Sequence, residues 1–284
     1  MVKIAIFLSG RLNEYTVGLL PLINNLKKKY DIRLFASINS FSLDKNDNIQ
    51  NIQNNLKRDF GETLGTIHFE YYKMPKTYVQ NLINNNITHF RYNQLSCFYN
   101  DENNFRLIDN YEKNNNYEFD IICKLRSEIV FDNNNIDFIQ DNKNDLIIRN
   151  KHMQDIRHWG HVYKNTPLMV SDAFAYGNKK SMKFYCSTYQ WILKNDLLLK
   201  GTYLQTFEIF LTDSILQFIF YHAPGGGEIP LLTANEIINK YVNNPNKIRL
   251  FYFDNLNYRL LPIHIRSKNN FVVNETNCLN YTQQ

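Results

Sequence analysis

Only four of the 284 residues are cysteine, Cys97, Cys123, Cys186 and Cys278, and they are far apart. No CxxC or Cys/His spacing exists, so a zinc site or a disulfide framework is not expected and the thiols read as reduced and structural. Long apolar runs are missing too. The chain is 44% hydrophobic, enough for a sizeable core, yet no segment reaches the roughly 20 apolar residues of a membrane helix, so no transmembrane segment is expected. The opening "MVKIAIFLSGRL" lacks the longer apolar region and cleavage site of a secretory signal. It reads as a first strand, and a cytoplasmic location is the expectation. Basic runs are absent: 32 Lys and Arg face 27 Asp and Glu, a net charge of +5, and they are scattered. That points away from nucleic acid and suits a small anionic substrate. The first apolar run is followed by neither GxGxxG nor GxxxxGK[ST], so a dinucleotide fingerprint and a P-loop are excluded. No solenoid repeat or long linker is found.

Asparagine is the residue in excess, on the order of forty copies. The "NNN" clusters at 84–86, 114–116 and 133–135 fall between apolar segments and read as loops. Around them the chain opens strand–helix–strand: "KIAIFLSG" (3–10), "YTVGLLPLINNLKKKY" (15–30, with Pro21 a possible break) and "DIRLFASI" (31–38). Further strands are read at 66–73, 119–126, 145–150 and 171–178, and helices at 44–58, 92–113, 180–194 and 203–222. "IRLFYFD" and "RLLPIHIR" are late strands or extended segments. The pattern predicts one α/β domain, 1–284, with a mostly parallel central sheet.

Several stretches carry chemistry. "LSGRLNEY" (8–15) places Ser9, Gly10 and Arg11 directly after the first strand, at the carboxyl edge where open α/β sheets bind ligands. Arg11 can pair with a phosphate through its planar fork of donors. "DIICKLRSEIVFD" (120–132) ends an apolar strand with Arg126, Ser127 and Glu128. Strand alternation would put Arg126 and Glu128 on one side. A carboxylate there can hold a divalent cation, and an arginine can neutralise a diphosphate without one. The bland alternative is a surface ion pair. In "SDAFAYGN" (171–178), Asp172 has the chemistry of a general base for a hydroxyl, and Phe174 and Tyr176 that of rings stacking on a sugar. "HMQDIRHWGHVYK" (152–164) holds His158, Trp159 and His161 in an acceptor-type loop. Glu208 lies in an apolar helix where an acid needs a partner, and His264 and Arg266 alternate in "LPIHIR".

Taken in order, "SGR", "YNQ" (92–94), "LIDNYEKNNNYEFD", "KLRSEIVF" and "SDAFAYGNKKSM" resemble glycosyltransferases that build surface polysaccharides, including the WavE-like lipopolysaccharide-synthesis group. The resemblance spans roughly residues 3 to 215. It implies a GT-A-type fold, a Rossmann-like α/β/α sandwich, with donor-binding residues in about 1–135 and acceptor-binding residues in about 136–284. It implies a nucleotide-sugar donor, UDP favoured, and a glycan acceptor. Ser9, Gly10, Arg11, Asn93, Gln94, Arg126, His264 and Arg266 would then contact the donor. His158, Trp159, His161, Tyr176 and Glu208 would contact the acceptor, with Asp172 and Glu128 catalytic. The family's DxD acids correspond here to "RSE". Glu128 therefore holds Mn²⁺ or Mg²⁺, or it binds sugar hydroxyls while Arg126 and Arg11 neutralise the phosphates; the resemblance leaves both open.

Overall fold

The structure is a computed structural model. It describes residues 1–9, 12, 15–39, 48–70, 72–84, 92–127, 129–131, 134–138, 145–150, 170–194, 249–252 and 258–260. The sheet is built from short, largely apolar segments: β1 (Lys3–Ser9), β2 (Asp31–Asn39), β3 (Leu64–Glu70), β4 (Ile121–Arg126), β6 (Asp145–Asn150), β7 (Val170–Gly177) and β8 (Arg249–Tyr252). Their order is β3-β2-β1-β4-β7-β6-β8. β1, β2, β3 and β4 pair in parallel, as do β6 and β8. β7 alone runs against both neighbours, β4 and β6. The short strands β5 (Ile129–Phe131) and β9 (Tyr258–Leu260) form a separate antiparallel pair.

Alternation along the strands gives the sheet two apolar faces. Ile4, Ile6, Leu34, Ala36, Cys123 and Leu125 face α1 (Leu19–Leu26) and α2 (Ile49–Phe60). Ala5, Phe7, Phe35 and Ile122 face α3 (Lys76–Asn84), α4 (Tyr92–Asn115), α5 (Lys179–Cys186) and α6 (Thr188–Lys194). The expected α/β/α sandwich with a mostly parallel sheet is the observed fold class.

Local chemistry explains the boundaries. Pro21 does not break α1. It is the third helical residue, where the missing N–H would have had no partner within the helix. Asn48 caps α2 by accepting from the N–H groups of Gln50 and Asn51, at 2.8 and 3.4 Å. The single helix expected over 180–194 is two: Ser187 ends α5 by donating through both its amide and its hydroxyl to the Phe184 carbonyl. α3 was not among the expected helices, although Tyr78, Val79, Leu82 and Ile83 recur at helical spacing. It starts after Pro75, whose carbonyl accepts from Tyr78 and Val79.

Candidate active site at the carboxyl edge of the sheet

The carboxyl ends of β1 to β4 lie side by side, and registry sets what meets there. Ser9, the last residue of β1, pairs with Arg126, the last of β4. β7 arrives from the other direction, with Phe174 opposite Leu125. Asp172 is two residues before Phe174, so it lies further toward the same edge on the strand beside Arg126. Three of the predicted positions, Ser9, Arg126 and Asp172, are thus gathered by adjacent strands from distant parts of the chain.

β4 ends at Arg126, and Ser127 begins a turn. Glu128 itself lies outside the described residues, as do Gly10, Arg11, His158, Trp159, His161, Glu208, His264 and Arg266. Asn93 and Gln94 fall in the first turn of α4. One expectation is corrected. Tyr176 is 1% exposed, and its ring packs edge-on against Phe138 at 4.9 Å between centroids. Phe174 is likewise buried, beside Phe131. Both rings point into the core because Phe174 and Tyr176 share the face that covers β7. They are core packing, not a platform for a sugar.

Beneath the edge is a polar layer that the motif reading did not find. The first half of α4 turns Asn100, Asp101, Asn103 and Asn104 inward, all buried. Lys124, on the α4 side of β4, is ion-paired with Asp101, each side chain 2% exposed. Its ammonium also lies 5.2 Å from the centre of the Tyr185 ring. Asn104 spans two strands: its Nδ2 donates to the Leu8 carbonyl at 3.1 Å, and its Oδ1 accepts from the Ser37 N–H at 2.7 Å. Glu70, at the end of β3, accepts from the Tyr99 hydroxyl at 2.7 Å and from Asn103 at 3.0 Å. Burial, together with that bond to Glu70, pushes the Tyr99 phenol up. Burial likewise pushes the Cys186 thiol well above the usual range, and the nearby Asp101 adds to the rise. These groups fix α4 to the ends of β1–β4 and so hold the edge rigid. A lysine inside an otherwise apolar strand, "IICKLR", was the one sequence signal for this layer, since a buried ammonium requires a partner.

On the other face, Gly18 at the start of α1 lies against β5. A Cβ there would sit 2.1 Å from the Ile129 carbonyl oxygen. β5 begins two residues after Ser127, so this close approach helps to fix where the chain resumes beyond β4. β5 in turn pairs with β9, Ile129 opposite Leu260.

A divalent ion is the cofactor the resemblance implies. Among the described residues no three Asp, Glu, His or Cys side chains converge to hold one. The side chain at the end of β4 is the guanidinium of Arg126, and Asp101 is engaged by Lys124. The described residues therefore do not fit a metal centre, and no step below runs through one. Among the same residues no helix is long and apolar enough to cross a membrane.

Comparison with known proteins gives little at the level of sequence. No family model matches, and no curated protein matches. Among solved structures, the chain is similar to apo mouse xyloside xylosyltransferase 1, at 10% identity and a TM-score of 0.38, covering 88% of this chain and 85% of that one.

Proposed function

We propose that the protein is a glycosyltransferase that moves a sugar from a nucleotide-diphosphate sugar, UDP favoured, to a hydroxyl of a glycan acceptor. The observation that carries this reading is the strand registry, which sets Ser9 beside Arg126 and brings Asp172 to the same edge. The order of motifs along the chain adds the surface-polysaccharide class. In this reading the donor diphosphate lies over the carboxyl ends of β1 and β4, neutralised by Arg126 and Arg11. The Asp172 carboxylate takes the proton of the acceptor hydroxyl. The acceptor oxygen forms its bond to the anomeric carbon as the bond to the diphosphate oxygen breaks, its electron pair leaving with the nucleoside diphosphate. The stereochemistry inverts in that single displacement. Donor contacts come from about 1–135 and acceptor contacts from about 136–284, with His158, Trp159, His161 and Glu208 on the acceptor side and Asn93, Gln94, His264 and Arg266 on the donor side.

The test is turnover and binding across a panel of UDP- and GDP-sugars, each with Mn²⁺, Mg²⁺ or EDTA. One donor should turn over. Asp172→Asn should lower kcat by roughly 10²- to 10⁴-fold while leaving donor binding intact. Turnover that survives EDTA supports neutralisation by arginine, and turnover that EDTA abolishes assigns Glu128 to a metal. Binding without turnover of any donor would indicate a non-catalytic sugar-nucleotide or glycan-binding module. Neither binding nor turnover would end the proposal.

A further inference from the structure

The Ser127 side chain is wholly buried, and its hydroxyl has no hydrogen-bond partner among the described residues. Buried hydroxyls are nearly always paired, so an unpaired one calls for a reason. Its position supplies one. Ser127 directly follows Arg126 at the carboxyl edge, where parallel α/β sheets receive their ligands. A second serine hydroxyl in the same condition, Ser37 Oγ, lies near the carboxyl end of β2, on the same edge. Two unpaired hydroxyls at one sheet edge indicate a place where a ligand supplies the missing partners.

We infer that the Ser127 hydroxyl is a phosphate contact. It donates to an oxygen of the donor diphosphate, next to the Arg126 guanidinium. The inference rests on the nucleotide-sugar reading above and deepens it, because it makes the residue between Arg126 and Glu128 part of the ligand site. A neutral donor beside a cation selects an anion and adds direction to the arginine's charge.

Wild type and Ser127→Ala are titrated with UDP and with uridine by calorimetry, in EDTA and in Mn²⁺, and their thermal unfolding is followed without ligand. The alanine variant should melt at or above wild type, since it removes a hydroxyl with no hydrogen-bond partner among the described residues. Its affinity for UDP should fall about tenfold, the size of one lost bond to a charged group, with uridine binding unchanged. UDP affinity equal to wild type would overturn the inference and leave the glycosyltransferase reading standing. So would a lower melting temperature with both ligands weakened alike, which marks a structural role. If wild type binds neither UDP nor GDP, the reading and the inference fall together; if it binds only GDP, the same comparison is made with GDP and guanosine.

Discussion

Replacing Lys124 by methionine tests whether the polar layer under the sheet edge holds the molecule together. Lys124 and Asp101 are each 2% exposed, so solvent screens their attraction little. Methionine keeps most of the side-chain length and its contact with Tyr185 but takes the ion-pair partner from the buried Asp101 carboxylate. Removing one partner of a buried pair costs about 3–5 kcal/mol, because the remaining charge is uncompensated. At about 2–4 °C per kcal/mol for large domains, that is a fall in Tm on the order of 10 °C. Urea unfolding followed by circular dichroism gives the free energy directly. The loss should shrink as the pH is lowered, since protonation neutralises the Asp101 carboxylate. Lys124→Met/Asp101→Leu removes both charges and should be more stable than either single variant, so the coupling in the double-mutant cycle should exceed the cost of either single substitution. A single variant within about 1 kcal/mol of wild type, or a double variant as unstable as the sum of the singles, would refute this account.

Two further substitutions probe how the edge is supported. Gly18→Ala drives a methyl into the Ile129 carbonyl and should cost about 1–3 kcal/mol, read by urea unfolding; an unchanged midpoint would show that β5 yields freely. Asp109, bonded to Lys113 and Lys179, is held below the usual carboxylate range by those bonds. Its folded pKa is lower than its unfolded one, so its contribution is complete above the unfolded value, near pH 4, and is lost as the pH falls through the folded value. Asp109→Asn should therefore be less stable than wild type at pH 7, by at most about 1 kcal/mol for a partly exposed pair. The two proteins should converge on acidification, and a gap that persists in acid would assign the loss to packing.

Much of the sheet could be read from the sequence because its strands are buried on both faces. "KIAIFLS" and "IICKLR" are continuous apolar runs that end in polar residues where the sheet ends. The position of Arg126 at a strand terminus followed from that alone. The reversed direction of β7 did not, because an apolar run carries no sign of which way it will be laid down. That direction is what carries Asp172 to the edge, while the cover on both faces of the sheet buries Tyr176. The aromatic "FAY" invited a sugar-stacking role only while its face was unknown. The polar layer of α4 was hidden for a different reason. Asn100, Asn103 and Asn104 are asparagines in a chain full of them, and nothing in their spacing separates the buried copies from the solvated ones. Asn104, which bonds two strands, looks in sequence like any loop former.

The strand order also acts as a timetable for synthesis. β1 to β4 can assemble as soon as the first 126 residues have emerged, since each finds its neighbour among strands already made. The open side of β4 must then wait for Val170–Gly177, and the far margin of the sheet waits for Arg249–Tyr252. During that interval the nascent chain carries a bare apolar strand, the kind of margin that recruits other chains. Lys124 lies in the middle of that strand. α4, which carries Asp101, is synthesised before β4, so Lys124 meets its ion-pair partner as soon as it emerges and anchors that margin from behind until β7 covers it.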